Sequence, residues 1–493
     1  MSLNSLSFIT YFFAFLSIQS ILQIIRNHIS DKRRNTLSTF QIILLVFASI
    51  GFMALADLRF CICLAILTVT TYVLAIKTEQ TRKKVYVTLG VVFALLLLGY
   101  FKYCDFFVGS FMRLLGMKTD HFNIIIPLGI SYYTFSAVSY LVDVGRKKYP
   151  AERNFLFFIL YMSFFPKVTA GPIVRANEFL PQVHDYKGIR AENFEQGIQM
   201  FVTGLFKKLV LADHLAVFVD NVFYSPSAFH SATILLAVIS CTLQLYFDFS
   251  GYSDMAIGIS KILGFEIGKN FNLPLISRSV SEYWRRWHIS LGSWFKDYLF
   301  YPLSIGPAVR LRKRLVDLGI DRKKTAIIAN MFTLIVVWLA TGLWHGADIT
   351  FVIWGIIQFV FVFYDSIKKQ NSDLTLRHKI MSWFLTSCVV VFGLIFFRAQ
   401  NISNALLIFK LLIVWQDGIV HNYTWTFASL IVLIIGTIIS YHRSKKLKER
   451  EVNSFYYFAD LHTIKGLTLF FLVCGLTIIM GYYGNTAFVY GNF

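Results

Sequence analysis

Long apolar runs alternate along this chain with short polar, mostly basic stretches. A helix needs about 20 apolar residues to cross about 30 Å of hydrocarbon. Candidate runs fall at 8–26, 40–56, 59–77, 85–100, 122–142, 154–166, 231–249, 325–343, 349–366, 379–397, 424–441 and 464–483. They predict an all-α, polytopic membrane protein with about eleven spanning helices. Shorter apolar stretches at 197–220 and 402–415 read as interfacial or re-entrant. The middle third breaks the rhythm, because between 166 and 324 only 231–249 is a clean run. Pro166, Gly171 and Pro172 interrupt one segment there, and 281–303, rich in Trp and Tyr, reads as an amphipathic piece that lies at the interface or dips in and returns. Irregular backbone at membrane depth is tolerated where it is buried in protein or lines a cavity. A cavity is therefore expected in this third. No repeat, low-complexity tract or soluble domain is evident, so residues 1–493 read as one membrane domain, with N-terminal helices (1–150), a motif-bearing core (151–370) and C-terminal helices (371–493).

Composition supports the membrane reading. Of 493 residues, 56% are hydrophobic and 15% charged, against about 25% charged in an ordinary soluble domain. Such a chain is too greasy to be soluble and too rich in bulky apolar groups to be disordered. The six cysteines (61, 63, 104, 241, 388 and 474) mostly lie in apolar runs and read as buried, unpaired thiols. The net charge of +20 comes from basic clusters between the runs. That pattern fits loops facing anionic lipid, and no nucleic-acid module is indicated.

Arg26, Lys32, Arg33 and Arg34 follow the first run, which argues against a cleaved signal and puts the N-terminus outside. Arg82-Lys83-Lys84, Arg146-Lys147-Lys148, Lys368-Lys369 and the group Arg443, Lys445, Lys446, Lys448 and Arg450 continue the alternation, with the C-terminus ending outside. The largest basic loop is expected at 310–324, with Arg310, Arg312, Lys313, Arg314, Arg322, Lys323 and Lys324.

Two of the eleven histidines stand apart. His28, His121, His184, His378 and His442 occupy polar or junction positions and need no function. His288 follows Trp287 in Trp284-Arg285-Arg286-Trp287-His288-Ile289-Ser290, and His345 follows Trp344 at the junction of two apolar runs. An ionisable group at membrane depth is a functional candidate by default, although a neutral histidine at a helix end is the plainer reading. A desolvated imidazole stays neutral near pH 7. It can accept a hydroxyl or thiol proton in acyl transfer, or carry the acyl group itself. Gly342 and Gly346 flank His345 and allow a chain or substrate to approach. Asp348 either orients its ring or is a helix-end carboxylate.

Asp248 and Asp254 end a span and suggest paired-carboxylate chemistry, a metal site or, more simply, helix capping. Arg285 and Arg286, between Trp284 and Trp287, could bind the phosphate of a pantetheine-linked donor or snorkel to headgroups. No Walker-type phosphate loop, no GxGxxG after a strand, no HExxH and no CxxC occurs, which removes Walker-driven transport, Rossmann redox chemistry and zincin proteolysis.

Five motifs in order then resemble the membrane-bound O-acyltransferase family, in its bacterial alginate O-acetyltransferase-like branch. They are Pro127-Leu128-Gly129-Ile130-Ser131-Tyr132-Tyr133-Thr134-Phe135; Phe164-Phe165-Pro166 with Ala170-Gly171-Pro172-Ile173; Tyr246-Phe247-Asp248-Phe249-Ser250-Gly251-Tyr252-Ser253-Asp254; the segment around His288; and Gly342-Leu343-Trp344-His345-Gly346. The resemblance runs from about residue 8 to 400. It implies helices and re-entrant segments around a central funnel, with His345 and His288 as the catalytic pair. Trp284, Arg285, Arg286, Trp287, Trp344, Asp248 and Asp254 are the substrate-binding candidates, and no metal or bound cofactor is expected.

The implied activity moves acetyl from a cytoplasmic donor, acetyl-CoA or an acyl-carrier thioester, across the bacterial inner membrane to an envelope or extracellular polysaccharide. An extracytoplasmic acetyltransferase or esterase-like partner would complete the transfer. A sister branch moves D-alanine from a carrier protein toward teichoic acid. A proton-coupled transporter is the remote alternative, without the internal repeats that transporters usually show. One departure touches the donor. Many relatives follow this Pro-Leu with a short Gly-Gly-Asn-Arg loop, whereas Pro302-Leu303 leads here into Ser304-Ile305-Gly306-Pro307 and the basic loop. That loop would suit an acidic acyl carrier, or lipid.

Overall fold

The computed structural model describes residues 2–117, 124–368, 375–447 and 459–484. His121, Lys369, Lys448 and Arg450 lie outside them, as do the side chains of Lys32, His442, Arg443, Lys445 and Lys446. The described chain is helical, with no named strand and an isolated bridge between Phe229 and Ile419. It begins with α1 (Leu6–Asn27), α2 (Asp31–Ala54), α3 (Leu58–Thr81), α4 (Lys84–Leu114) and α5 (Ile130–Gly145). Shorter pieces follow: α6 (Phe155–Ser163), α7 (Phe165–Val168), α8 (Ala176–His184), α9 (Ala191–Phe206) and α10 (Asp213–Tyr224). Next come α11 (Ser231–Ile262), α12 (Val280–Arg286), α13 (Ile289–Phe295), α14 (Tyr301–Ile305) and α15 (Pro307–Asp317). The chain then runs through α16 (Arg322–His345), α17 (Ile349–Ile367), α18 (Leu376–Arg398), α19 (Ile402–Ile413), α20 (Thr424–Leu447) and α21 (Ile464–Met480).

Eight of these, α1 to α4, α11 and α16 to α18, are long and apolar enough to cross a membrane, and three shorter apolar helices lie in α19, α20 and α21. Their starts follow local chemistry. Asp57, Asp321 and Asp348 each accept a hydrogen bond from a backbone N–H in the following turn, satisfying donors that have no partner inside the helix. Asp348 is thus a helix-end carboxylate, its Oδ1 accepting from Thr350 N–H at 2.8 Å. The described cysteines are unpaired, and Cys63 and Cys241 are the buried ones.

Four expected segments take a different form. The apolar runs at 122–142 and 154–166 do not make straight spans. Helix α5 starts only at Ile130, after Gly129 at φ +75°, where a Cβ would lie 2.0 Å from the Val168 carbonyl oxygen. Helix α6 stops at Ser163, with Phe164 and Pro166 turning the chain into α7. The stretch at 197–220 is continuous with its neighbours rather than a separate short piece. It belongs to a run that is helical from 191 to 224, with π geometry at Lys207–Ala212, buried along α11. The expected basic loop is also largely helix: Arg310, Arg312, Lys313 and Arg314 are exposed on α15, while Arg322, Lys323 and Lys324 open α16.

Helices α9 and α11 form the most extensive helix pair of the fold. Glycines seven residues apart on each helix make this contact. A Cβ on Gly197 would lie 2.5 Å from the Gly258 carbonyl oxygen, and one on Gly204 would lie 2.5 Å from that of Gly251. Where lipid replaces water, helix association depends on such close packing rather than on hydrophobic transfer. Replacing Gly204 with Val should destabilise the fold by about 1–3 kcal/mol or more. A lower unfolding temperature and a broadened size-exclusion profile in detergent would register it.

Candidate active site

The two Trp-His pairs meet inside the bundle. His345 is the last residue of α16 and is 1% exposed. Its ring centroid lies 4.8 Å from that of Trp344, 5.0 Å from that of Trp354 on α17 and 5.0 Å from that of Phe397 on α18. The glycines beside it admit a helix: a Cβ on Gly342 would sit 2.5 Å from the Phe351 carbonyl oxygen, and one on Gly346 would run into the Phe351 ring.

The end of α16 is held from the side by α4. Lys102, itself buried, donates from Nζ to the Trp344 carbonyl oxygen. Tyr103 donates its hydroxyl proton to the Leu343 carbonyl at 2.8 Å. The last carbonyls of a helix lack partners within it, and these two donors supply them. The Lys102 Nζ also lies 5.4 Å from the Trp344 ring centroid. Sequence reading overlooked Lys102, although a lysine just past the apolar run 85–100 was a signal in its own right.

His288 occupies the break between α12 and α13, at φ +43° and ψ +54°. This left-handed conformation is uncommon for any residue but glycine and costs about 1–3 kcal/mol. Asn270 holds it there. The Asn270 Oδ1 accepts from Ser290 N–H at 3.2 Å and from the Ser290 hydroxyl at 2.9 Å, and it lies 3.1 Å from His288 Nδ1. An oxygen that accepts from a backbone N–H fixes the amide's orientation, so Nδ1 carries the His288 proton and Nε2 is the ring's acceptor. Sequence pattern offered no signal for Asn270, which lies in an irregular segment.

The other motifs converge on these pairs. Tyr132 and Phe135, one turn apart on α5, place their ring centroids 6.0 and 5.9 Å from that of Trp344. Phe249 of α11 meets the His288 ring edge-on at 4.6 Å. Thr169, just after α7, hydrogen-bonds with the hydroxyl of Tyr252. Trp284 donates its indole N–H to Gln358 Oε1 at 3.0 Å. With Trp287, Trp354 and Phe397 it lines a cleft of about 10 Å³, roughly the room of one water. The Trp344 indole N–H is buried and has no hydrogen-bond partner among the described residues.

Three of the four remaining candidates are held in ion pairs. Asp248 and Asp254 do not cap a helix end. They lie within α11, buried, with Asp254 2.6 Å from Lys207 Nζ and Asp248 2.7 Å from Lys208 Nζ; Lys208 also reaches Asp213 at 2.7 Å. Both lysines open the π turn, and each engages a carboxylate of α11. The backbone N–H of Tyr482 donates to the Leu209 carbonyl within that turn at 2.9 Å. Among the described residues no group of three or more His, Cys, Asp or Glu could hold a metal. Arg286 pairs with Glu282 at 2.9 Å and donates to the Asn272 carbonyl, while Arg285 is exposed.

Two predictions separate site from scaffold. Lys102→Met should lower catalytic turnover by about a hundredfold, through displacement of the α16 end, and should cost about 1–3 kcal/mol of stability by leaving the Trp344 carbonyl without its donor. Turnover and thermal melts of the purified protein check this. Asp254→Asn leaves Lys207 without its carboxylate and should cost about 3–5 kcal/mol, seen as loss of folded protein at any donor concentration.

Comparison with known proteins adds a family. Residues 8–409 match the profile of MBOAT, the membrane-bound O-acyltransferase family. A probable alginate O-acetylase of Pseudomonas aeruginosa is 34% identical over 414 residues, covering 80% of this chain and 74% of the relative. A peptidoglycan O-acetyltransferase of Helicobacter pylori is 33% identical over 401 residues, 74% of this chain and 72% of the relative. A teichoic acid D-alanyltransferase of Bacillus subtilis is 28% identical over 295 residues, 56% of this chain and 70% of the relative.

Proposed function

The chain belongs to the membrane-bound O-acyltransferase family, and from that premise we propose that it transfers acetyl from a thioester donor to hydroxyls of a cell-envelope polysaccharide or peptidoglycan, with His345 as the base. The observation that carries this reading is the buried His345 ring at the end of α16, walled by Trp344, Trp354 and Phe397 and fixed by Lys102. In the step proposed, imidazole takes the proton of the acceptor hydroxyl as its oxygen bonds to the thioester carbonyl carbon. The carbon–sulfur bond then breaks, and the departing thiolate takes the proton from the imidazolium. The Trp344 indole N–H is a donor for the carbonyl oxygen as negative charge develops there. His288, with Nε2 as its acceptor, supports the acceptor side.

The donor is acetyl-CoA or an acyl-carrier thioester, and the setting is the bacterial cytoplasmic membrane. A hydroxyl acceptor outside that membrane calls for an extracytoplasmic partner that completes delivery. Acetyl is favoured over D-alanyl because the acetylating relatives match more of this chain at higher identity.

His345→Ala should abolish O-acetylation of the polymer, with the protein still present in the membrane at wild-type level. Acetyl content released by mild alkali from whole-cell polymer is the measurement. Retained acetylation would remove His345 from the chemistry. Acetyl on the wild-type chain that both acid and hydroxylamine release, and that His345→Ala lacks, would make His345 an acyl carrier instead of a base.

A further inference from the structure

Helices α3 and α4 are joined by a two-residue turn, and both are long and apolar enough to cross a membrane. Their shared end therefore lies at the boundary between hydrocarbon and water. A polar cleft of about 40 Å³ opens there, between this turn and the end of α5. That is room for roughly three waters, or for the oxygens of one phosphate group. Gly145 brings α5 close to α4 beside it: a Cβ there would lie 2.6 Å from Val87 Cγ2.

Four cations line the cleft, with Arg82, Lys83 and Lys84 coming from the turn and Lys147 from just beyond α5. All four are exposed, and none makes an ion pair or cation–π contact with a described residue. Glu79 is the acid of the cleft, and both of its oxygens are taken. Its Oε1 accepts from Ala151 N–H at 3.1 Å, and its Oε2 pairs with Arg153. The first turn of α4 carries no acidic residue. The repulsion among four uncompensated charges falls when an anion sits between them.

The surroundings say which anion. The cleft lies at headgroup depth, and α4 leads away from it as an exposed apolar stripe of Val85, Leu89, Val92 and Leu96, each about one turn from the next. A dissolved phosphate uses the charges and leaves the stripe bare, whereas a phospholipid uses both. We infer that the cleft binds the headgroup of an anionic phospholipid, its phosphate among Arg82, Lys83, Lys84 and Lys147 and an acyl chain along α4. The site does not depend on the acyl-transfer reading. It bears on the histidine centre through α4, which carries Lys102 and Tyr103 to the end of α16.

The turn allows charge to be removed without harm to the fold. Arg82 and Lys147 sit in the left-handed region, at φ +59° and +58°, a conformation that glycine adopts at less cost. The double variant Arg82→Gly, Lys147→Gly should therefore keep or raise the melting temperature in neutral lipid. The full chain is studied in nanodiscs of phosphatidylcholine, alone or mixed with phosphatidylglycerol. Phosphatidylglycerol should raise the wild-type melting temperature by several degrees, and native mass spectrometry should find it retained on the extracted protein. The double variant should retain roughly tenfold less. Lys313→Gln with Arg314→Gln removes the same charge from exposed positions of α15 outside the cleft, and should change retention by less than about twofold. An equal loss from the α15 variant would show that lipid follows overall charge, which overturns the site. Unchanged retention in the folded glycine variant overturns it as well. Inorganic phosphate in neutral nanodiscs is the last arm: if it reproduces the rise in melting temperature, and the glycine variant abolishes that rise, the cleft takes a dissolved anion and the lipid assignment falls.

Discussion

Everything at the centre of this molecule depends on how the end of α16 is completed without water. A helix that stops inside the bundle exposes carbonyls that must find donors, because no solvent is present to supply them. Helix α4 supplies two, from Tyr103 and Lys102, to the carbonyls of Leu343 and Trp344. The next residue is His345. Helix completion and placement of the imidazole are thus one interaction. The arrangement at His288 follows the same logic by other means, with Asn270 gathering three groups of an unfavourably twisted turn.

Around this centre the scaffold has two kinds of cohesion. The seam of α9 and α11 uses backbone proximity, with glycines where any side chain would collide with a carbonyl. The ion network of Lys207 and Lys208 with Asp213, Asp248 and Asp254 acts beside it. Buried pairs of this kind add little net stability over apolar packing, but they penalise any register in which a partner is missing. Glycines permit the helices to approach, and the ion pairs specify the register in which they do.

The sequence made the helical membrane architecture legible, since hydrophobic runs longer than a bilayer is thick have few other fates. It also singled out Trp344-His345 and Trp287-His288, because ionisable groups beside tryptophan are conspicuous in an apolar background. What it concealed depended on long-range pairing. Asp248 and Asp254 resemble caps until lysines some forty residues earlier fold against them. Arg285 and Arg286 look like an anion site until Glu282, one turn back, engages one of them. Lys102 and Asn270 act on residues far along the chain, and no local spacing encodes that. The broken middle third was legible as irregular, but the π turn at Lys207–Ala212 was not.

The cleft beside His345 has room for about one water. Rings nested this closely leave no space in that cleft for a substrate of more than a few atoms. Throughput would then be governed by how often the tryptophans part, which makes side-chain gating, rather than bond making, the step on which a faster or slower variant would first differ.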